Sequence, residues 1–223
     1  MMSVIGLRKC YGSGEARVEV LKGLDFTIQT GEQVALTGKS GSGKSTLLSL
    51  MAGLDSPDSG TISIDQQNIS LMNEKDLTTY RARHIGIVFQ QFHLVSTLTA
   101  LENVLLPLEI LKMEGARERA ISLLENVGLS HRMDHLPSQL SGGESQRVAI
   151  ARALSTNPAI LFADEPSGNL DEETGDKVMG LLFDLVKKSG TTLVLVTHDP
   201  DLASQCERII HLEHGKLARE VRK

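Results

Sequence analysis

A glycine-rich segment that contains a lysine carries the strongest chemical signal in this sequence. Residues Gly38 to Ser45 match the pattern G-x-x-x-x-G-K-[ST]. The apolar run Val34–Leu36 precedes them and leucines at helical spacing follow them, which predicts a strand, a loop and a helix in succession. Glycines let backbone N–H groups approach an anion, and the start of a helix directs unpaired N–H groups at the same point. The segment therefore predicts a loop that binds the phosphates of a nucleoside triphosphate.

Two side chains of this loop have distinct predicted roles. Lys44 places a positive charge on the outer phosphates, because its ammonium group follows the last glycine. The hydroxyl oxygen of Ser45 is a hard ligand of the kind that suits Mg²⁺. The alternative, a surface loop of glycine and serine with an incidental lysine, is disfavoured by the strand and helix on either side.

Acidic and imidazole side chains follow two further apolar strands. Ile160–Ala163 predicts a buried strand that ends in Asp164 and Glu165, and Leu193–Val196 predicts another that leads to His198. The carboxyl ends of parallel strands face the ligand crevice of an open α/β sheet. There, Asp164 could hold Mg²⁺ and Glu165 could polarise an attacking water, whereas His198 could donate a hydrogen bond to a terminal phosphate. The alternative is that these acids only terminate a strand.

A second anion site is predicted at Ser141-Gly142-Gly143-Glu144. The segment is a capping box at the start of a helix over Gln146–Leu154, and capping is part of its function. Its two glycines also expose backbone N–H groups at the positive end of that helix. Two anion sites for one triphosphate are most simply explained if two chains share nucleotides head-to-tail across a two-fold axis.

Tyr11 is a candidate platform for a nucleotide base. It lies in the connection between two predicted antiparallel strands, Val4–Leu7 and Leu24–Ile28, in a chain with two tyrosines and no tryptophan. An aromatic ring at such a position can stack on a base. Packing of the ring on the sheet edge is an equally open interpretation.

The order of elements predicts an α/β protein with a helical insertion. Strands are expected over Thr61–Ile64 and Ile85–Phe89, with a polar helix over Glu74–Arg83 between them. Residues 91 to about 155 are mainly helical in pattern, and the flanking regions alternate strand and helix. We therefore predict one domain over residues 1–223, with residues 91–155 as its helical subdomain. Within it, a capping box at Thr99–Glu102 precedes a helix over Val104–Leu111 that Pro107 interrupts, and Glu114–Val127 predicts another helix.

Composition excludes several classes of protein. The chain has 223 residues, 40% hydrophobic and 23% charged, with a net charge of −5 that disfavours a nucleic-acid partner. No apolar run approaches the roughly 20 residues that span a bilayer, and Met1–Leu7 lacks a signal-peptide pattern. Cys10 and Cys206, far apart in sequence, are interpreted as free thiols in a reducing cytosol.

Over essentially its whole length, the sequence resembles the ATPase subunits of ATP-binding cassette (ABC) transporters. The most specific segment is Leu140-Ser-Gly-Gly-Glu-Ser-Gln-Arg147, which resembles the signature of that family. The resemblance implies the ABC ATPase fold: a P-loop NTPase core with a mainly parallel sheet, an N-terminal antiparallel β layer and an inserted helical subdomain. It also implies an ATPase that binds ATP and Mg²⁺.

The resemblance implies a role for each motif. Tyr11 stacks on adenine, and Gln90 contacts Mg²⁺ and water and senses the γ-phosphate. Ser167–Asp171 resembles the D-loop, and His198 the switch histidine. The implied catalytic residues are Glu165, His198, Lys44 and Gln90, and the implied metal ligands are Ser45, Gln90 and Asp164. The implied nucleotide-binding residues are Tyr11, Gly38, Lys39, Ser40, Gly41, Ser42, Gly43, Lys44, Ser45, Thr46, Ser141, Gly142, Gly143, Glu144 and Asp171.

Three segments resemble the subgroup that serves lipoprotein-release and macrolide-efflux systems: Ile87–Leu94, Ala100–Asn103 and Ala163–Asp171. Further segments resemble the bacterial subunit that is paired with a large FtsX-like permease: Gly128-Leu129, Asp134–Pro137 and Gly175–Lys177. This resemblance implies an integral membrane permease of the FtsX-like type as partner, and a location on the cytoplasmic face of the plasma membrane. Ser167 and Glu144 depart from the residues common in the wider family, threonine and glutamine, but neither change removes a phosphate ligand.

The implied mechanism is a cycle in which two copies close on two ATP molecules and open after hydrolysis. Apolar residues after Gln90 are candidates for the surface that contacts the permease, although some belong to the core of the helical subdomain: Phe92, Leu94, Val95 and Leu98. A regulatory switch or scaffold for a cell-envelope complex, without transport, is the alternative function. A phosphoryl-transfer kinase is disfavoured because it leaves Ser141–Glu144 without a function.

Overall fold

Strands and helices alternate along most of the chain. The computed structural model describes residues 1–12 and 14–223. The strands are β1 (Met2–Tyr11), β2 (Val18–Ile28), β3 (Gln33–Thr37), β4 (Ser59–Ile64), β5 (Gln67–Asn68), β6 (Ile85–Phe89), β7 (Ile160–Asp164), β8 (Thr192–Val196), β9 (Arg208–Glu213) and β10 (Lys216–Arg222). The α-helices are α1 (Lys44–Met51), α2 (Glu74–His84), α3 (Ala100–Ile110), α4 (Ala116–Asn126), α5 (Gly142–Leu154), α6 (Glu172–Ser189) and α7 (Pro200–Gln205), and single 3-10 turns cover Gly14–Ala16, Ile69–Leu71, Ser130–Arg132 and Pro137–Gln139.

The chain forms two compact units. One contains Met1–Arg81 and Thr192–Lys223, and the other contains Ala82–Thr191. The predicted helical region, residues 91–155, lies within the second unit, and the prediction of one domain over residues 1–223 stays a prediction.

The first unit combines antiparallel and parallel strands. β1 pairs antiparallel with β2 and with β4, which confirms the predicted N-terminal antiparallel layer. β3 pairs parallel with β8 on one side and with β9 on the other. A parallel strand with neighbours on both sides is usually buried on both faces, and Val34, Ala35 and Leu36 of β3 have no exposed surface. The apolar run before the glycine-rich loop is therefore a central strand.

The second unit has a parallel strand pair and a helical core. β6 pairs parallel with β7, and Phe89 lies opposite Asp164 at the carboxyl ends of the two strands. The capping box of Thr99 and Glu102 opens α3 as predicted. Apolar side chains of three helices form one buried cluster, to which α3 contributes Ala100, Leu101, Val104, Leu105 and Leu108, α4 contributes Ala120 and Leu124, and α5 contributes Val148 and Ala151.

The prediction that Pro107 interrupts a helix was wrong. α3 runs continuously from Ala100 to Ile110 and contains Pro107 in its last turns. Proline removes one backbone donor, but the helix continues beyond it because the carbonyl oxygen of Pro107 still accepts from the Leu111 N–H, 3.2 Å away. Burial of Leu108 in the helical cluster adds packing energy on the same turn.

Several predicted bounds were too short. β1 and β2 extend over Met2–Tyr11 and Val18–Ile28, well beyond Val4–Leu7 and Leu24–Ile28. Cross-strand pairing holds their polar ends in strand conformation, and sequence alternation does not report such pairing. α5 begins at Gly142 instead of Gln146, because Ser141 is its N-cap residue.

Arg208 is a buried cation whose loss should destabilise the first unit. Its side chain is 3% exposed, and its guanidinium donates to the Thr27 carbonyl oxygen and lies 2.9 Å from Glu220 and 3.5 Å from Glu32. Arg208→Met would leave the largely buried Glu32 carboxylate without this partner. Breaking a buried ion pair on one side costs about 3–5 kcal/mol, so we expect a much lower midpoint of urea unfolding.

The matched control for this prediction is Arg222→Met. Arg222 also pairs with Glu220, at 3.1 Å, but its side chain is 62% exposed. Exposed ion pairs contribute little, so the control should shift the urea midpoint only slightly. Equal shifts in the two variants would contradict a structural role for the buried guanidinium.

Candidate active site

The glycine-rich loop between β3 and α1 has a backbone that only glycine adopts readily. Gly43 has a φ of 102° and is the N-cap residue of α1. A Cβ atom on Gly43 would lie 2.7 Å from a methyl group of Leu21, so either the loop or the Leu21 side chain would have to shift for a larger residue. No side chain caps this helix and its first turn has no acidic residue. Its first N–H groups are therefore available to an anion.

Two polar side chains of the loop fit a phosphate group. Lys44 is 8% exposed, and its ammonium donates to the carbonyl oxygens of Gly38 at 2.8 Å and Lys39 at 3.1 Å, which places the cation across the loop. The Ser42 hydroxyl is buried and has no hydrogen-bond partner among the described residues. An unpaired buried hydroxyl is costly, and a phosphate oxygen would satisfy it. Ser45 is exposed at the start of α1, where its oxygen is accessible to a metal ion.

His198 lies at the same edge of the first unit as the loop. β3 and β8 are adjacent parallel strands, with Leu36 opposite Val196. The Thr197 N–H donates to the Leu36 carbonyl oxygen at 3.2 Å, so the two strands stay paired to their carboxyl ends. The exposed His198 follows directly. This strand pairing brings the glycine-rich loop and the histidine to one edge, as the sequence predicted.

Tyr11 ends β1, with 44% of its surface exposed. Its hydroxyl donates to a carboxylate oxygen of Asp55 at 2.8 Å. The Tyr11 side chain is thus exposed but held in place by a hydrogen bond. Its ring has exposed area on which a ligand could stack.

Gln90, Asp164 and Glu165 meet at the carboxyl ends of β6 and β7 in the second unit. Phe89 and Asp164 are paired as the last residues of β6 and β7, and Gln90 and Glu165 directly follow these strands. Glu165 has a φ of 45°, which is uncommon for a residue other than glycine. Such backbone strain occurs at functional sites. The two carboxylates and the amide therefore share one edge of this unit.

The side chain of Gln90 is engaged by the segment that follows Glu165. Gln90 Nε2 donates to Asn169 Oδ1 at 3.1 Å, and Asn169 Nδ2 donates to the Gln90 carbonyl oxygen at 3.0 Å. A Cβ atom on Gly168 would lie 2.8 Å from Gln90 Nε2. The glycine therefore permits the close approach, and Gln90 is linked to the segment Ser167–Asp171.

Ser141 and Glu144 form the predicted capping box at the start of α5. Ser141 Oγ accepts from the Glu144 N–H at 3.2 Å, and Glu144 Oε2 accepts from the Ser141 N–H at 2.8 Å. The other Glu144 oxygen lies 2.9 Å from the Nε of Arg132. Hydrogen bonding from the Ser141 backbone, followed by the hydrogen bonds from the Ser141 side chain and Arg132, lowers the pKa of Glu144 despite its burial. Gly142 is exposed on the first turn of this helix.

The lowered pKa of Glu144 makes the capping box sensitive to acid. Because its folded-state pKa lies below the unfolded value, the ionised carboxylate stabilises the fold above the unfolded pKa and loses this effect as the pH falls through the folded one. Urea midpoints of wild type and Glu144→Gln should therefore differ at pH 7 and converge as the pH drops well below about 4.3, the ordinary glutamate pKa. A difference that stays constant between pH 7 and pH 3 would contradict this prediction.

Asp171 has a structural role that can be seen directly. Its Oδ1 accepts from the Thr174 N–H at 3.0 Å, so Asp171 caps the start of α6. That backbone hydrogen bond holds the pKa of Asp171 below its usual value. A contact between Asp171 and a nucleotide stays a prediction.

Sequence reasoning did not identify the partners that hold the predicted residues. These partners lie 12 to 79 positions away in the chain, as with Arg132 for Glu144, Asp55 for Tyr11 and Asn169 for Gln90. The sequence could have indicated only Lys9 as a neighbour of Tyr11. The two residues are two positions apart on the same strand, so their side chains lie on the same face. Among the described residues, no group of three or more His, Cys, Asp or Glu side chains is arranged to hold a metal ion.

The apolar residues after Gln90 differ in exposure. Leu94 is half-buried and packs against the helical cluster, as the core interpretation predicts for part of this set. Val95 is 40% exposed, whereas Phe92 and Leu98 are half-buried. None of the described helices is both long enough and apolar enough to cross a membrane.

Comparison with known proteins gives consistent relatives over the full chain. Residues 21–168 match the family model described as ABC transporter. The lipoprotein-releasing system ATP-binding protein LolD of Legionella pneumophila (strain Paris) is 51% identical over 217 residues, which cover 96% of each chain. The macrolide export ATP-binding/permease protein MacB of Rhodopirellula baltica (strain DSM 10527 / NCIMB 13988 / SH1) is 45% identical over 227 residues, which cover 100% of this chain and 33% of that relative.

A solved structure agrees in fold as well as in sequence. The ATP-binding cassette MJ0796, described as the dimeric structure of a post-hydrolysis state bound to ADP and Pi, is 44% identical with a TM-score of 0.91. The match covers 100% of this chain and 98% of that one.

Proposed function

Since this chain belongs to the ABC transporter family and is an ATPase of that family, we propose that two copies bind two ATP molecules between them and that hydrolysis drives a membrane permease. The observation that carries the proposal is that one chain contains a phosphate loop with a buried lysine and a second helix start, at Ser141–Glu144, whose Gly142 is exposed in the first turn. A single nucleotide site would leave the second without a ligand.

The loop between β3 and α1 binds the triphosphate in this proposal. Lys44 neutralises the outer phosphates, the Ser42 hydroxyl donates to a phosphate oxygen, and Tyr11 stacks on the base. Ser45, Asp164 and Gln90 supply oxygen ligands for Mg²⁺, which when bound neutralises charge on the phosphates. The orphan hydroxyl of Ser42 and the uncapped start of α1 support the anion site.

Hydrolysis requires a base and charge neutralisation at the γ-phosphate. Glu165 polarises the attacking water, and its unusual φ of 45° supports a functional constraint at that residue. His198 donates a hydrogen bond to the γ-phosphate, and the start of α5 in the second copy directs N–H groups toward it. The description of MJ0796 as a dimer with ADP and Pi supports a shared site of this kind.

In this proposal, the opening of the dimer after hydrolysis drives a conformational change in a membrane permease. The name of MacB includes both an ATP-binding and a permease part. The match to this chain covers 33% of the MacB protein. We propose that the permease is of FtsX-like type, and that the ATPase lies on the cytoplasmic face of the plasma membrane. The similarity to LolD supports lipoprotein release as one candidate activity of the complex of this ATPase with its permease. The exposed Val95 belongs to the proposed permease contact.

The experiment that tests the proposal is purification of tagged Glu165→Gln protein from native membranes in the presence of ATP. We expect an integral membrane permease to copurify, because hydrolysis is blocked and the closed dimer persists. The control carries Lys44→Met in addition and should not accumulate the closed dimer. Recovery of a closed dimer without any membrane protein would contradict the permease and favour an ATP-dependent regulatory switch.

A further inference from the structure

The Tyr11 hydroxyl belongs to a small hydrogen-bond network in the first unit that includes the charged side chains of Asp55 and Lys9. Asp55 lies in the loop after α1, and its two carboxylate oxygens have different partners. One accepts from the Tyr11 hydroxyl at 2.8 Å. The other accepts from the Lys9 ammonium at 2.8 Å and from the Ser56 N–H at 2.7 Å. The carboxylate is thus shared between the ring and a cation.

Lys9 also restricts the position of the Tyr11 ring. Its side chain is 10% exposed, and its ammonium also donates to the Ser56 carbonyl oxygen at 2.7 Å. The same nitrogen lies over the Tyr11 ring, 5.1 Å from the centroid, within the range of a cation–π interaction. A buried ammonium with these partners has little freedom, so it holds the position of the ring that it contacts.

Through α1, the network also connects the Tyr11 ring to the phosphate loop. α1 begins at Lys44 in that loop, and Asp55 follows its last turn by four residues. Burial raises the pKa of Asp55, but the hydrogen bonds from Lys9 and Tyr11 outweigh it and leave that pKa below its usual value. The carboxylate is therefore ionised at neutral pH and able to accept from both partners.

We infer that Asp55 and Lys9 are positioning residues that hold the exposed Tyr11 ring in the orientation in which a nucleotide base stacks on it. This inference rests on the proposed function, because it assigns the ligand of Tyr11 to the ATP bound at the phosphate loop. An unanchored phenol would have to be ordered at each binding event, whereas the bonded phenol is ordered beforehand. Neither Asp55 nor Lys9 contacts the phosphates in this scheme.

The test compares the affinities for ATP and for inorganic tripolyphosphate, measured by titration calorimetry in EDTA so that no hydrolysis occurs. Tyr11→Phe keeps the ring and the Lys9–Asp55 pair and removes only the anchoring hydroxyl. We expect its Kd for ATP to rise roughly twofold to tenfold, the cost of ordering one side chain, while its Kd for tripolyphosphate stays unchanged. Asp55→Asn should produce the same selective loss, because Lys9 and Tyr11 both lose the charged acceptor. Tyr11→Ala should weaken ATP binding further.

Tyr80→Phe is the matched control, because Tyr80 is the other tyrosine of the chain and its hydroxyl lies near the Ile64 carbonyl oxygen, away from this network. It should change neither Kd. An ATP affinity of Tyr11→Phe equal to that of wild type, or an equal loss for both ligands, would overturn the inference while leaving the ATPase intact. A wild-type protein that binds tripolyphosphate but not ATP would instead contradict the proposed function, and the inference with it.

Discussion

Replacing Glu165 by glutamine is expected to slow ATP turnover roughly 10²–10⁴-fold, the usual contribution of a general base. The amide keeps nearly the same shape but cannot take a proton from water. ATP binding should persist, because Glu165 contributes no charge to the phosphate loop in the proposed mechanism. Phosphate release at saturating ATP measures the first effect, and the Kd for ATP measures the second.

The control for this variant is Glu118→Gln, which removes an exposed carboxylate in the first turn of α4. Its turnover should equal that of wild type. If Glu165→Gln also hydrolyses ATP at the wild-type rate, Glu165 is not the base. If it loses ATP binding, the residue has a role in binding that the mechanism does not include.

Lys44→Met is expected to weaken ATP binding roughly 10-fold to 100-fold. The ammonium is buried, and it donates to two carbonyl oxygens of the loop in a position to reach a phosphate. A hydrogen bond to a charged group contributes about 1.5–3 kcal/mol, which corresponds to this range of Kd. Equilibrium titration with ATP in EDTA measures the effect without hydrolysis.

Lys75→Met, on the exposed surface of α2, controls for the loss of one positive charge. Its Kd for ATP should be unchanged, since a distant surface charge is screened by salt. An equally small effect of Lys44→Met would show that the phosphate loop does not bind the triphosphate through its lysine.

The local parts of this fold and site could be predicted from the sequence. The loop of Gly38–Ser45 sits between a central strand and a helix as its pattern indicated, and both capping boxes formed where their spacing placed them. Each of these features depends on residues within a few positions of one another. The ends of parallel strands could be predicted for the same reason, because a short apolar run defines them.

The remaining features depend on pairing between distant residues. The polar ends of β1 and β2 are strands only because each pairs with the other, and α3 continues through Pro107 because its neighbours bury the same face. The anchoring of Tyr11 by Asp55 joins residues 44 positions apart. No pattern in the sequence reports such contacts, although they decide how a predicted side chain is oriented.

The central claim is that each nucleotide site combines the phosphate loop of one copy with Ser141–Gly143 of the other. It is tested most directly by mixing two variants, Lys44→Met and Gly142→Asp, at an ATP concentration below the raised Kd of Lys44→Met, where neither is expected to turn over ATP alone. Gly142 is a suitable position because a Cβ atom there would meet Leu170 at 3.2 Å, whereas at Gly143 it would clash with Thr174. The added carboxylate would repel phosphate at the start of α5.

A dimer of one variant with the other has one intact composite site, formed by the loop of the Gly142→Asp chain and the α5 start of the Lys44→Met chain. We therefore predict that the mixture releases phosphate from ATP although neither variant does so alone. If each site were built from a single chain, no pairing would restore it. A mixture as inactive as its separate components would contradict the shared site.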